Sequence, residues 1–143
     1  MKTITFLLLL ICSSAIAQSK FITKTGIINF EASVPSFEEV AAQNESVTAI
    51  INAENGEIAA LALIKGFRFK NALMEEHFNE NYAESDKFPK ATFKGLIEGF
   101  SLDKIEASFI LNGTLTFHGK TKTINDINFE NKKALIRVDF NVP

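Results

Sequence analysis

Two histidines and the acidic residues near them are the side chains of this sequence best suited to metal binding or acid–base catalysis. Glu75-Glu76-His77 places two carboxylates beside an imidazole, whereas His118 stands far away along the chain. Adjacent residues of a helix point in different directions, but metal ligands must converge on one point. Acid–base catalysis meets the same objection, because no acidic residue stands four positions from His77. We therefore expect no catalytic residue, no metal site and no cofactor.

Sequence signatures of nucleophilic or phosphate chemistry are missing as well. The chain has no Gly-x-Ser-x-Gly elbow, and its seven glycines are dispersed rather than gathered in a phosphate-binding loop. Its single cysteine, Cys12, cannot form a disulfide framework. These observations predict that the protein is not an enzyme. The alternative that stays open is a barrel enzyme for an apolar substrate, with His77 or His118 as the acid–base group.

Residues 1–17 have the pattern of a cleaved signal peptide. Lys2 gives a positive start, residues 4–11 form an apolar run, and Ala15-Ile16-Ala17 is a small-x-small cleavage site before Gln18. The run is shorter than the roughly 20 apolar residues that span a bilayer. A lipid anchor at Cys12 is the less favoured alternative, because the residues just before it are not small. We expect an exported protein, periplasmic or secreted, with no integral membrane segment.

Length and charge limit the remaining possibilities. Residues 18–143 suffice for one domain with a hydrophobic core and are too few for two. The net charge is −2 and the charged residues are scattered, so no basic stripe is available for a nucleic acid. The sequence predicts a single domain that does not bind nucleic acid. It leaves the oligomeric state open, a dimer included.

The hydrophobic pattern of residues 18–143 has mostly a period of two. Short runs rich in Ile, Val, Phe and Thr are separated by Asn, Gly, Asp and Lys, which is typical of an antiparallel meander. The count of about eight such runs fits an all-β barrel or sandwich. The predicted strands are residues 21–33, 46–52, 57–64, 90–97, 105–111, 114–118, 124–129 and 134–142.

Turn residues and one helical segment connect these strands. Asn55-Gly56 and Asn112-Gly113 each predict a tight hairpin turn, because both residue types tolerate a positive φ. Residues 36–44 predict a polar connection, and residues 131–133 predict the last turn. Residues 71–78 contain good helix formers, with apolar residues spaced for one helical face, and predict a short helix over one end of the sheet.

The run 58–64 is apolar on both strand faces, which predicts a strand covered on both sides. Three alanines in this run favour an interior with room for a ligand. Large side chains, with 14 Phe in the chain, could instead fill a small barrel. Composition alone leaves both possibilities open, with ordinary core packing somewhat favoured.

Two stretches resemble the YceI-like family, the lipid- or polyisoprenoid-binding domain of exported bacterial proteins. In the first, Glu75-x-His77 is followed by aromatic residues and then by Phe88-Pro89-x-x-x-Phe93-Lys94, similar to the strand start of that family. In the second, residues 113–122 are similar to the family hairpin Gly-x-Leu-Thr-x-x-Gly-x-Thr-Lys. Among the departures from the family pattern, Met74-Glu75 stands where the family often has Arg-Asp, and the chain has no Trp.

The resemblance implies a lipocalin-like antiparallel β-barrel of about eight strands, with a hydrophobic tunnel for an isoprenoid chain. It implies an exported, non-enzymatic carrier whose partner is an apolar, isoprenoid-like lipid. The alternative is a protein–protein or stress-response module on the same fold, with a packed and ligand-free core. Because apolar residues crowd around the helical segment, where the resemblance is densest, the expected ligand-binding residues lie there. They are Phe67, Phe69, Leu73, Met74, His77, Phe78 and Phe93.

Overall fold

The computed structural model describes residues 19–32, 40–104 and 108–130. Among these residues, seven strands form one sheet, and a six-residue helix, α1 (Ala72–His77), continues into a π-helical turn at Phe78–Tyr82. The strands are β1 (Lys20–Ala32), β2 (Val40–Asn52), β3 (Glu57–Leu63), β4 (Arg68–Phe69), β5 (Lys90–Ile97), β6 (Ser108–Phe117) and β7 (Lys120–Glu130). The predicted signal peptide and the predicted strand 134–142 lie outside the described residues, as does the 131–133 turn.

The sheet is antiparallel throughout. Its order is β1-β2-β3-β5-β6-β7, and the short strand β4 pairs with β2. The predicted fold class, an antiparallel β-protein with one short helix, is confirmed. Within the described residues the sheet has seven strands and is not closed, with β1 and β7 at its edges. The eight-stranded barrel of the sequence prediction therefore depends on a strand outside this part of the chain.

The predicted hairpin at Asn112-Gly113 is wrong. Strand β6 runs straight through these residues, and Gly113 lies directly opposite Gly95 of β5. A Cβ on Gly113 would come within 2.5 Å of the Lys94 carbonyl oxygen and of Phe93 Cζ, so glycine is needed here for close packing rather than for a turn. The chain reverses at His118-Gly119 instead, where both residues have positive φ, 49° and 70°.

The predicted hairpin at Asn55-Gly56 is confirmed in place, because β2 and β3 pair antiparallel around it. Only Gly56 has a positive φ, 75°, and its N–H donates to the Asn52 carbonyl 2.8 Å away, so the turn is longer than the predicted two-residue turn. The Asn55 side chain accepts the Glu57 N–H at 3.0 Å. Asparagine thus contributes a side-chain acceptor to the turn rather than a left-handed backbone.

The polar connection predicted for 36–44 is wrong over its last five residues, since β2 begins at Val40. Asn44 lies fully buried inside the strand because its amide is satisfied on both sides. Its Nδ2 donates to the Leu63 carbonyl at 2.9 Å, and its Oδ1 accepts the Ser46 N–H at 3.0 Å. Asn44, which the sequence analysis placed in a polar connection, therefore joins β2 to the end of β3 by a buried hydrogen bond.

One face of the sheet, called here the inner face, carries two clusters of apolar side chains. The first cluster lies beside α1, and the second lies at the far end of β5 and β6. The buried members of the first are Ala42, Val47, Ala62, Ile64, Phe67, Phe78 and Ala83; those of the second are Ile58, Ile97, Phe109 and Leu111. On the outer face of β3, Ala59 and Leu61 are half-buried and Leu63 is 49% exposed, so the predicted cover on that side is only partial.

Candidate functional site

The helix α1 is fixed to the sheet by one carboxylate, that of Glu75. Its Oε1 accepts a hydrogen bond from Arg68 Nη1 at 3.0 Å, and its Oε2 accepts the Phe69 backbone N–H at 3.2 Å. The Asn71 side chain begins the helix by accepting the Leu73 N–H at 2.9 Å. The acidic residue that the sequence resemblance marked two positions before His77 therefore ties the helix to β4.

Five phenylalanine rings meet under this helix and form an aromatic plug, defined as Phe30, Phe67, Phe69, Phe78 and Phe117. Phe78 stands at its centre, 7% exposed, with ring centroids 5.0 Å from Phe69 and 5.9 Å from Phe67. The centroids of Phe30 and Phe117 lie 5.8 and 6.5 Å from that of Phe78. Tilted and edge-on rings at these distances attract one another beyond their burial. The plug closes one end of the inner face.

The structure brings together only part of the predicted ligand-binding set. Phe67, Phe69 and Phe78 meet in the plug, and Met74 is half-buried on the same side of α1. Leu73, 58% exposed, and His77 both face solvent. The reason is helical geometry: residues 73 and 77 lie on one side of a helix, and residues 74 and 78 lie on the next. The sequence reasoning placed 73, 74 and 78 on a single face.

The remaining predicted residue, Phe93, lies in the middle of the inner face and packs against the second cluster. It belongs to a line of directly opposed residues that crosses six strands, here called the inner row. Residues opposed in an antiparallel pair share a face, so all its members lie on the inner face. The inner row is Thr23, Ala49, Ala60, Phe93, Leu115 and Lys122.

The middle of the inner row is apolar and incompletely covered. Ala49, Ala60, Phe93 and Leu115 are all half-buried, between two clusters whose central residues are fully buried. The Phe93 ring lies over the neighbouring glycines: its atoms would stand 2.9 and 2.5 Å from a Cβ at Gly95 and Gly113. The alanine methyls and the flat Phe93 ring form a shallow apolar surface, called here the floor, between the two packed clusters. Sequence reasoning pointed to the alanines of the run 58–64 and to Phe93, but it missed Ala49 and Leu115 because their place in the row depends on the register between distant strands.

The turn between β6 and β7 is joined to the segment after α1 by a hydrogen-bonded pair of side chains. His118 Nε2 lies 2.6 Å from Glu84 Oε2, and the Phe88 ring packs edge-on against the imidazole at 4.8 Å between centroids. The hydrogen bond from His118 lowers the pKa of Glu84, with a smaller contribution from Lys87. Glu84 and His118 both have positive φ. His118 is thus part of a latch, formed with Glu84, that holds the segment after α1 to the β6–β7 hairpin.

The described residues also bear on the requirements of a metal site, a membrane span and a surface groove. No group of three His, Cys, Asp or Glu residues within them could hold a metal ion. None of the helices in the described part of the chain has the length and hydropathy of a membrane span. One surface depression, of about 730 Å³, lies on the β1, β2 and β4 side, and its lining combines charged residues such as Glu45, Arg68 and Lys70 with Phe30 and Phe69 of the plug. This groove carries charged residues whereas the middle of the inner row carries none, so the inner row is the better match for a hydrocarbon chain.

Comparison with known proteins identifies the family. The sequence profile of the YceI-like domain matches residues 16–142. The fold is similar to a solved polyisoprenoid binding domain from Saccharophagus degradans implicated in plant cell wall breakdown, with a TM-score of 0.55 and 12% sequence identity. That superposition covers 83% of this chain and 67% of the other. A search of curated proteins found no match. On the extent of the profile match and on the fold, the chain belongs to the YceI-like domain family.

Proposed function

We propose that this protein is a non-enzymatic binding protein that holds an apolar, isoprenoid-like chain against the inner face of its sheet. The observation that carries the proposal is the inner row. Four apolar residues, one from each of four adjacent strands, form a continuous half-buried floor between two packed clusters. A hydrocarbon lying there would remove from water the apolar surface that the clusters leave exposed.

The energetics favour a long chain rather than a small ligand. A buried methylene contributes about 0.8 kcal/mol, so roughly fifteen buried carbons contribute about 12 kcal/mol. Association costs at least about 4 kcal/mol in lost translational and rotational freedom. At most about 8 kcal/mol remains, which corresponds to a dissociation constant of about 1 μM or weaker. No precisely placed polar contact is needed for such binding, which agrees with a floor made of Ala, Phe and Leu.

Membership of the family supports this proposal, and so does the similar solved domain, which is described as polyisoprenoid-binding. We further propose that the protein acts after export, as a carrier or store of its lipid in the periplasm or outside the cell. The amino-terminal pattern of residues 1–17 supports export. A carrier in an aqueous compartment must shield a hydrocarbon chain from water. The apolar floor would shield the side of the chain that lies against the sheet.

The experiment is a titration of lipid-stripped protein with retinol, a neutral fluorescent isoprenoid, using a pair of variants matched in chemistry. Ala60→Leu adds bulk to the inner row, whereas Ala59→Leu adds the same bulk to the opposite face of the same strand. We expect Ala60→Leu to weaken retinol binding at least tenfold and Ala59→Leu to leave it within twofold. Thermal melts confirm that both variants fold. Equal affinities for the two variants would place the ligand elsewhere.

A second candidate function, a protein–protein or stress-response module with a packed interior, is favoured by the aromatic plug. Phe78 and the four rings around it already fill one end of the inner face, as in a closed core. On this hypothesis the folded wild-type protein takes up no retinol at tens of micromolar. The same titration therefore decides between the two functions.

A further inference from the structure

The inner row is apolar across β2 to β6 and ends in a lysine on β7. Leu115 of β6 lies opposite Lys122 of β7, and two residues further along β6, Phe117 lies opposite Lys120. Both lysines are therefore on the inner face, on the edge strand next to the apolar floor. Both side chains are exposed, and neither forms an ion pair with any residue in the described part of the chain.

The charges of the inner face are otherwise few. The inner positions of β2, β3, β5 and β6 carry apolar residues, glycine and the neutral Asn44, and those of β1 carry no charge. Glu84, in the segment after α1, contacts the β6–β7 turn, and its carboxylate is already engaged by His118 at 2.6 Å and by Lys87 at 3.8 Å. Across the described strands, the inner face thus combines an apolar floor with two cations at one side.

We propose that the apolar chain carried by this protein ends in an anionic head group, a carboxylate or a phosphate ester, that is held by Lys120 and Lys122. This inference rests on the proposed function and narrows its ligand from apolar lipids in general to anionic amphiphiles. The hydrocarbon lies along Ala49, Ala60, Phe93 and Leu115, and the head group stays at the water-exposed edge. The lysine stems pack beside the chain while their ammonium groups reach the anion.

The geometry sets the reach of such a ligand. Neighbouring strands lie about 4.8 Å apart, so the row from Ala49 to Lys122 spans about 19 Å over four strand intervals. An extended chain of fourteen to sixteen carbons has about this length. Two exposed charge pairs of ordinary strength strengthen binding of the acid over a neutral analogue by about five- to thirty-fold.

A purely structural role for these lysines makes a different prediction. Charged residues that point inward on an edge strand protect the sheet from pairing with another chain. In that role the lysines would affect aggregation and would leave the choice of ligand unchanged. Ligand selectivity therefore separates the two roles.

The test is displacement of bound retinol by two competitors that differ only in their head group, palmitic acid and hexadecanol, with hexadecyl phosphate as a third. The wild-type protein is compared with Lys120→Gln/Lys122→Gln and with the control Lys90→Gln/Lys94→Gln, which removes the same charge from the outer face of β5. Inorganic phosphate and acetate are titrated alone, because a site for a free anion would bind these without the chain. The competition is repeated at 20 mM and 500 mM NaCl.

We expect palmitic acid and hexadecyl phosphate to displace retinol from wild type and from the control about five- to thirty-fold more effectively than hexadecanol. The preference disappears in Lys120→Gln/Lys122→Gln and weakens at high salt in wild type. Equal displacement by acid and alcohol in the wild type, or binding of free phosphate with equal affinity, overturns this inference and leaves the proposed function standing. Failure of retinol and of every competitor to bind overturns both. Because the salt dependence is measured on wild type, the result does not rely on the variant folding.

Discussion

Truncation of Phe78 to alanine is the sharpest test of the aromatic plug. The ring is 7% exposed and has four aromatic neighbours with centroids between 5.0 and 6.5 Å away. These neighbours come from β1, β4, β6 and the residue before β4, so the backbone that carries them is held by separate strand pairs. The space left by the ring therefore cannot close by a small local shift.

The expected loss follows from this geometry. Phe→Ala substitutions in cores lower the free energy of unfolding by about 3–5 kcal/mol, with the larger values where the site cannot collapse. We place Phe78→Ala at about 4–5 kcal/mol, a large share of the 5–15 kcal/mol typical of a whole domain. Phe78→Leu retains most of the apolar volume and should lose about half as much.

Urea denaturation followed by circular dichroism measures these losses, and Leu73→Ala is the matched control. Leu73 lies on the same helix but is 58% exposed, and Leu and Ala have similar helix propensities, so its loss should stay below about 1 kcal/mol. An unchanged m-value confirms that the comparison concerns stability. A loss below about 1 kcal/mol for Phe78→Ala, or equal losses for the two variants, would refute the plug.

Three further predictions concern the close strand contact, the latch between His118 and Glu84, and export. Gly113→Ala should lower the free energy of unfolding by about 1–3 kcal/mol, because the added Cβ would meet backbone and ring atoms at 2.5 Å. The control Thr114→Ala, on the exposed face of the same strand, should change it by less than about 0.5 kcal/mol. Equal urea midpoints for the two variants would contradict the packing argument. Because the pKa of Glu84 is lowered in the folded protein, its stabilising contribution is present above the usual carboxyl range and is lost as the pH falls through the lowered pKa. The melting temperature of Glu84→Gln should therefore be below that of wild type at pH 7 and should approach it near pH 3; a constant difference at both pH values would count against the latch. Intact mass of the exported protein should correspond to a chain that begins at Gln18, and a mass that retains Cys12 with acyl chains would exclude signal peptide cleavage at this site.

Much of the fold could be predicted from the sequence because strand periodicity is a local signal. The predicted strand 90–97 has the observed bounds of β5, and the prediction 57–64 differs from β3 by a single residue. The helical segment at 71–78 was also predictable from its helix formers and apolar spacing. In each case the information lies within a few consecutive residues.

The errors arose where a residue type has two physical uses. Asn112-Gly113 has the composition of a turn, but a glycine is needed at position 113 because the Phe93 ring of the neighbouring strand occupies the space of a side chain. Asn44 has the composition of a loop, but its amide is satisfied inside β2 by Leu63 and Ser46. Only the partner strand decides between these uses, and strand pairing cannot be obtained from local sequence.

The candidate site shows the same limit more strongly. Phe67, Phe69 and Phe78 were predictable because they are close along the chain and around one helix. The complete floor of the inner row was not, since Ala49 and Leu115 have ordinary types and are joined to Ala60 and Phe93 only by strand register. Its cationic end at Lys122 follows from the same register.

Native mass spectrometry of the protein purified from its own host tests the central claim most directly. The account predicts a bound adduct with the mass of a long-chain lipid, released by collisional activation, and a lower occupancy for Ala60→Leu than for Ala59→Leu. A known lipid-carrying barrel protein, measured under the same conditions, shows that such complexes survive the measurement. Wild-type protein that is folded and appears only at the mass of the bare chain, while that control keeps its lipid, would contradict the account.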